Sequence, residues 1–453
     1  MRHIGKYEIR GMLGQGGMGK VYKARLPVVG KLVALKVLAP WEMTEVLLGQ
    51  DGVRELFEHE ARTLAALRHP HLAQILDFDT DSQGRPFFTQ EFYCRHLGLV
   101  LGETDSESPT ARVLPPERAT RYALEMLQGL ERLHWAGIVH RDMKPGNVLL
   151  GEDDRVKLID LGLSLLPDAK QRFPAQFKVG TPLYAAPEQE YDPASVTPSA
   201  DLYSVGVCLW RMLTGAGLDN PGSGSPLPSV LRPALGTCWD EVLRTAVAPE
   251  PSKRHPSVAA LSDDLQEALA CWHRTHAQTC LLPEHEASIS PPQAKWPRRR
   301  KAKVSRKEAE RVFGLDRRGQ PQSYAEQAFT AEGPGEIRDP LRDLVWEQSG
   351  SPYPLNRREA WAYVQTRNRE TGRVARPWRL PTVNELLTQV VPPDSHRDIC
   401  QSPLFDPERC QLWSADVRTE LEGWYVDTEL GFVAAQDKHC RCFVRLVRER
   451  EEQ

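Results

Sequence analysis

Apolar positions change their period along the first 270 residues. YEIRGML, VYKARL and KLVALKVL are short β-like runs separated by glycines and turns, which predicts a small antiparallel sheet. RELFEHEARTLAAL then sets Leu56, Glu60, Leu64 and Leu67 on a helical period. ILDF and PFFTQEFY supply two more strands. From Pro115 helical periods dominate: PPERATRYALEMLQGLERLHWAG has proline near its start and glycine at its end, as helix punctuation requires. A sheet-rich lobe followed by a helical lobe makes a two-lobed α+β architecture over 7–270. The stretch 271–328 is polar and rich in proline and charge, and is expected to be a flexible linker, with KEAERVF as a short helix inside it. Over 329–449 the pattern changes again, to short strand-like runs, turn signals and a concentration of tryptophans. Trp346, Trp361, Trp378, Trp413 and Trp424 read as the core of a small irregular domain.

Length agrees with this partition, because 453 residues exceed what one ordinary core serves. The net charge of -3 excludes a general affinity for nucleic acid or membrane. The basic run between Lys295 and Arg318 is read first as a solvated linker, with docking to a nucleic acid, an anionic lipid or an acidic partner as the alternative. No run of about 18 apolar residues occurs, so no membrane span is expected, and MRHIGKYEIRGMLGQGG has no apolar signal core. Nine cysteines, an odd count, favour reduced thiols and a cytoplasmic protein. Cys440 and Cys442 form only C-x-C, which completes no zinc site.

One set of polar residues fits phosphoryl transfer, which needs a phosphate cradle, a cation, divalent metal and a group that orients the nucleophile. Gly14-Gln15-Gly16-Gly17-Met18-Gly19-Lys20-Val21 is the cradle, where glycine lets backbone amides approach phosphate oxygens. A dinucleotide fold would open a helix there, whereas VYKARL continues as strand. Lys36, in VALK, would pair with the phosphates, and Glu60 is the carboxylate expected to hold it. Glu58, two residues away, faces elsewhere on the helix. In His140-Arg141-Asp142-Met143-Lys144-Pro145-Gly146-Asn147, Asp142 would orient a hydroxyl and take its proton, and Lys144 would stabilise the transferring group. Asn147 and Asp160 offer oxygen ligands to Mg2+.

These motifs, in this order, make 7–270 resemble the Hanks-type protein kinases, especially the bacterial serine/threonine branch. The resemblance implies a kinase fold, ATP and Mg2+ as cofactors, Ser/Thr hydroxyls of proteins as acceptors, and no specific nucleic acid. It further implies a nucleotide pocket of Gly14, Gln15, Gly16, Gly17, Met18, Gly19, Val21, Ala34, Lys36, Gln90 and the hinge residues Glu91 and Tyr93. Gly180-Thr181-Pro182 through Ala186-Pro187-Glu188 is similar to the substrate-docking loop. Thr181 is then expected to touch Asp142 and Lys144, Asp201 to brace the catalytic loop and Arg254 to pair with Glu188. Three positions depart from the pattern: DLG replaces DFG, Gln90 stands at the gatekeeper, and between Gly162 and Gly180 only Ser164 carries a hydroxyl. Activation without mid-loop phosphorylation is therefore expected.

Trp378-Arg379-Leu380-Pro381-Thr382, Trp413-Ser414 and Trp424-Tyr425-Val426-Asp427 make 335–448 resemble the Lcl C-terminal domain family, which has a C-type-lectin-like fold related to the formylglycine-generating enzyme. This implies long loops on a compact scaffold, suited to binding a ligand or partner. The reading is a protein serine/threonine kinase with a C-terminal binding domain. A nucleotide-binding pseudokinase scaffold is the alternative, and the complete set Lys36, Glu60, Asp142, Asn147 and Asp160 argues against it.

Overall fold

The computed structural model describes residues 3–103, 110–160, 181, 183–193, 196–218, 225–279, 297–372, 376–392 and 400–450. The chain divides into two compact units, Met1–Gln278 and Thr279–Gln453.

The first unit opens with six strands, β1 (His3–Ile4), β2 (Tyr7–Gln15), β3 (Gly19–Arg25), β4 (Leu32–Leu38), β5 (Ile75–Thr80) and β6 (Pro86–Glu91). They form one antiparallel sheet in the order β1-β2-β3-β4-β6-β5. Strand alternation gives β4 two jobs. Val33, Leu35 and Val37 enter a core with Ile4, Tyr7, Ala24 and Phe87, which leaves Ala34 and Lys36 on the opposite face. That face receives the helix Glu42–Ala66, whose Phe57 and Ala61 pack on Phe88. The helix starts earlier than its periodicity predicts and kinks at Gly49, where φ is 69°. The Gly-Gln-Asp-Gly run there obscures the period of the first turns.

The helical part is built on Pro116–Trp135, which has proline at its first turn, and on Ser199–Thr214, in which Ala200 to Leu213 are all buried. Cys238 and Cys271 form a disulfide that ties Thr237–Trp239 to the helix Val258–Thr279. This corrects the expectation of reduced thiols for this pair, whereas Cys208, Cys400, Cys410 and Cys442 are thiols. No helix among the described residues is long and apolar enough to cross a membrane.

In the second unit Thr330–Ala331, Glu336–Asp339, Leu344–Glu347 and the late strand Val447–Glu449 form one antiparallel sheet. Gln411–Val417, Glu422–Asp427 and Phe432–Asp437 form another. The linker expected over 271–328 is corrected in part. The helix Val258–Thr279 runs through its first residues. Val304, Ala309, Phe313 and Leu315 belong to the core of the second unit. Ser305 and Glu308 make a capping box for the helix Arg306–Phe313, Phe313 meets Trp424 edge-on with centroids 5.2 Å apart, and Trp424 Nε1 donates to the Val304 carbonyl at 2.9 Å. Trp346, Trp378, Trp413 and Trp424 are buried as expected; Trp361 is 40% exposed.

Candidate functional site

The glycine segment is the turn between β2 and β3. Gln15 pairs with Lys20, and Gly16 and Gly19 exchange backbone hydrogen bonds of 2.9 and 3.3 Å. A Cβ at Gly14 or Gly16 would meet nothing within 4 Å, so it would fill the space over the hairpin, while one at Gly19 would come within 2.4 Å of the Val37 carbonyl. The hairpin continues into strand, as the sequence predicts.

β4 pairs with β3 and β6, so Val21 lies opposite Lys36, and Ala34 lies opposite Gln90. Lys36 Nζ donates to Glu60 Oε1 and Oε2 at 2.7 and 3.0 Å and to Asp160 Oδ1 at 3.0 Å. Burial alone would lower the lysine pKa; the charges of Asp160 and Glu60 overcome it and raise the pKa. Glu60 is 4% exposed because Val53, Phe57, Glu60, Ala61 and Leu64 share the stripe facing the sheet. Glu58 instead binds Arg54 and Arg62 along the outer face, at 2.9 and 2.8 Å.

Gln90 Nε2 is buried with no partner among the described residues, and Tyr93 donates its hydroxyl to Glu91 Oε2 at 2.8 Å. A nucleotide base placed here would supply the acceptor that Gln90 lacks.

Asp142 sits in a second cluster. Lys144 Nζ lies 2.8 Å from its Oδ2, Thr181 Oγ1 donates to its Oδ1 at 3.0 Å, and Lys144 Nζ donates to Thr181 Oγ1 at 2.9 Å. Asn147 Nδ2 donates to Asp142 Oδ2 and to its carbonyl, at 3.0 and 2.7 Å. That commits the amide nitrogen and leaves the side-chain oxygen for a metal ion. Asp160 is the second oxygen donor, its side chain 46% exposed. Oxygen donors of this kind suit Mg2+. The Ile159 N–H donates to the Asn147 carbonyl at 3.1 Å, which brings the two segments together.

Asp201 braces the backbone just before Asp142. It is fully buried and accepts the N–H groups of His140 and Arg141, each at 2.9 Å. His134 Nε2 lies 2.8 Å from the same carboxylate. Burial alone would raise its pKa, but His134 and His140 and the Arg141 N–H hold the carboxyl below its ordinary value. Arg254 clamps Glu188 with two contacts of 2.7 Å and lies over the Tyr203 ring.

Arg141 and Asp160 both hold positive φ, 67° and 68°. Neither is glycine, so both backbones are strained where the functional side chains emerge. Arg141 is buried and donates to the Pro193 carbonyl. Leu161, Gly162, Ser164, Gly180 and Pro182 lie outside the described residues.

Three site neighbours escape the sequence reading: His134, Gln189, which donates to the Arg141 carbonyl at 2.8 Å, and His140, whose Nε2 lies 3.1 Å from the Ile159 carbonyl. Only His140 stands in a motif. The others face the site from neighbouring helices and carry no local signal.

Residues 7–223 match the protein kinase domain family, and residues 335–448 match the Lcl C-terminal domain family. The serine/threonine-protein kinase PknH of Mycobacterium tuberculosis is 31% identical over 302 residues, covering 64% of this chain and 46% of its own. The serine/threonine-protein kinase pkn3 of Myxococcus xanthus is 31% identical over 283 residues, covering 58% and 49%. PksC of Streptomyces coelicolor, also a serine/threonine-protein kinase, is 33% identical over 286 residues, covering 59% and 50%. The chain thus spans about half the length of the curated relatives it matches. The PknI kinase domain of M. tuberculosis is similar at 26% identity, over 59% of this chain and 98% of that one, with a TM-score of 0.45.

Proposed function

For a chain that carries a protein kinase domain over 7–223 and an Lcl C-terminal domain over 335–448, we propose ATP-dependent phosphorylation of Ser or Thr hydroxyls on protein substrates, with the second domain binding a ligand or partner. One observation supports this most: the Lys36 ammonium contacts Glu60 from the sheet lobe's helix and Asp160 from the helical lobe together. A lysine held this way is positioned for nucleotide phosphates, and its carboxylates keep it charged.

Each residue then has a task. The glycine hairpin 14–19 covers the phosphates, and Val21, Ala34, Gln90, Glu91 and Tyr93 surround the base. Asp142, one carboxylate oxygen held by Asn147 and Lys144 and the other by Thr181, accepts the proton of the substrate hydroxyl and aligns it for in-line attack. Lys144 sets positive charge beside the transferring group. Mg2+, held by Asn147 and Asp160, would neutralise phosphate charge. The C-terminal domain brings a ligand or substrate to this machinery.

The test is labelled ATP with Mg2+ and a general protein acceptor, given to wild type and Asp142→Asn. Losing the orienting base should slow transfer at least ~10²-fold. Nucleotide binding with no phosphotransfer by wild type would replace this reading with a pseudokinase scaffold.

A further inference from the structure

Trp361 lines a cavity of about 760 Å³ in the second unit, with a largely apolar wall bordered by cationic side chains. Lys301, Lys303, Arg357, Arg358 and Lys438 all border it, and no lining side chain is a carboxylate. The floor is apolar, from Ala302, Ala415 and Val417. Arg357 is a fixed charge: buried, stacked over the Trp413 ring and bonded to the carbonyls of Ser414 and Asp416.

Three nearby carboxylates have partners of their own, although Asp437 and Glu420 also act on Lys438. Asp416 holds Arg298 at 2.7 Å and the Val383 N–H at 2.9 Å. Asp437 Oδ1 lies 2.8 Å from His439, and Glu359 accepts the Asn356 N–H at 2.9 Å. Lys301, Lys303, Arg358 and Lys438 make no salt bridge among the described residues; Lys301 lies over the Trp361 ring and Lys438 donates to the Glu420 carbonyl. Burial and then Arg357 lower the pKa of Lys438, and the opposing charges of Glu420 and Asp437 do not offset them.

We propose that this cavity binds a small organic phosphate, its phosphoryl group among Lys301, Lys303, Arg358 and Lys438 and its planar body against Trp361. A phosphate monoester carries nearly two charges and three acceptor oxygens, which compact lysine ammoniums match. The volume lies in the range of small-molecule sites and exceeds what a lone phosphate ion fills. The proposal rests on the reading of the second domain as a binding domain and names its ligand class.

The experiment is calorimetric titration of the full chain with phenyl phosphate, inorganic phosphate, benzoate and phenol. Phenyl phosphate should bind more tightly than the other three. Replacing both Lys303 and Lys438 by alanine should weaken it at least about tenfold. Trp361→Ala should weaken phenyl phosphate but not inorganic phosphate. Unchanged thermal unfolding of these variants shows that they fold. Equal affinity in the lysine variant, equal affinity for benzoate, or no binding of phenyl phosphate at millimolar concentration overturns the site. Phosphotransfer is measured with and without phenyl phosphate in the same samples. Binding that leaves transfer unchanged keeps the site and removes its sensory role. Altered substrate choice on loss of the second unit, without phenyl phosphate binding, keeps the domain's role and removes this site.

Discussion

The backbone N–H of Ile159 donates to the carbonyl of Asn147 at 3.1 Å, directly before Asp160. The two proposed metal ligands thus stand on segments joined by main-chain hydrogen bonding, and a side-chain change in either need not separate them.

Lys36→Met should therefore abolish phosphotransfer by about 10²-fold or more while the fold persists, since it removes one charge donor from the site. Glu60→Gln should cost less, because Asp160 still contacts the ammonium. Steady-state rates with labelled ATP check both. Equal rates for wild type and Lys36→Met would remove Lys36 from the reaction.

Asp201→Asn should destabilise the first unit by about 3 kcal/mol, because a buried carboxylate accepting two N–H groups loses its charge. The folded pKa of Asp201 is depressed, so its stabilisation is present above the unfolded value near 3.8 and is lost as pH falls through the lower folded value. Urea unfolding at several pH values should show the two proteins diverging at neutral pH and converging in acid.

Reduction should destabilise the same unit. Cys238 and Cys271 close a loop with a sequence separation of 33, which corresponds to about 4 kcal/mol of chain entropy. Thiol titration and unfolding with and without dithiothreitol check this. A full set of free thiols in the unreduced protein would show that the bond does not form.

Ser164→Ala should leave phosphotransfer within about twofold, since Arg141 is buried and one of its guanidinium N–H groups already donates to the Pro193 carbonyl. Thr181→Val should slow it, because Thr181 touches both Asp142 and Lys144. Loss of activity in Ser164→Ala would point to phosphorylation of that serine as a switch.

Much of this site is legible in the sequence because its parts are local. The glycine hairpin, the alternation that turns Val33, Leu35 and Val37 away from Lys36, and the helical spacing that separates Glu60 from Glu58 are all short-range patterns. What escapes is set by distant partners. Arg298 and Arg299 look like linker charge, yet they meet Asp416 at 2.7 Å and Glu449 at 3.0 Å. Val304, Ala309 and Phe313 are sparse apolar residues in a charged stretch, and averaging over the window hides them. The cationic cavity is invisible for the same reason: Lys301, Arg358 and Lys438 come from three separated segments.

The seat that Val304 and Phe313 provide for Trp424 also fixes where the second domain can be cut. An expression fragment begun at residue 329, where the tryptophan-rich composition starts, would leave that indole with a bare face and an unmatched N–H, and would be prone to aggregate. One begun near 297 retains the whole core and is the sensible unit for crystallisation or ligand screening.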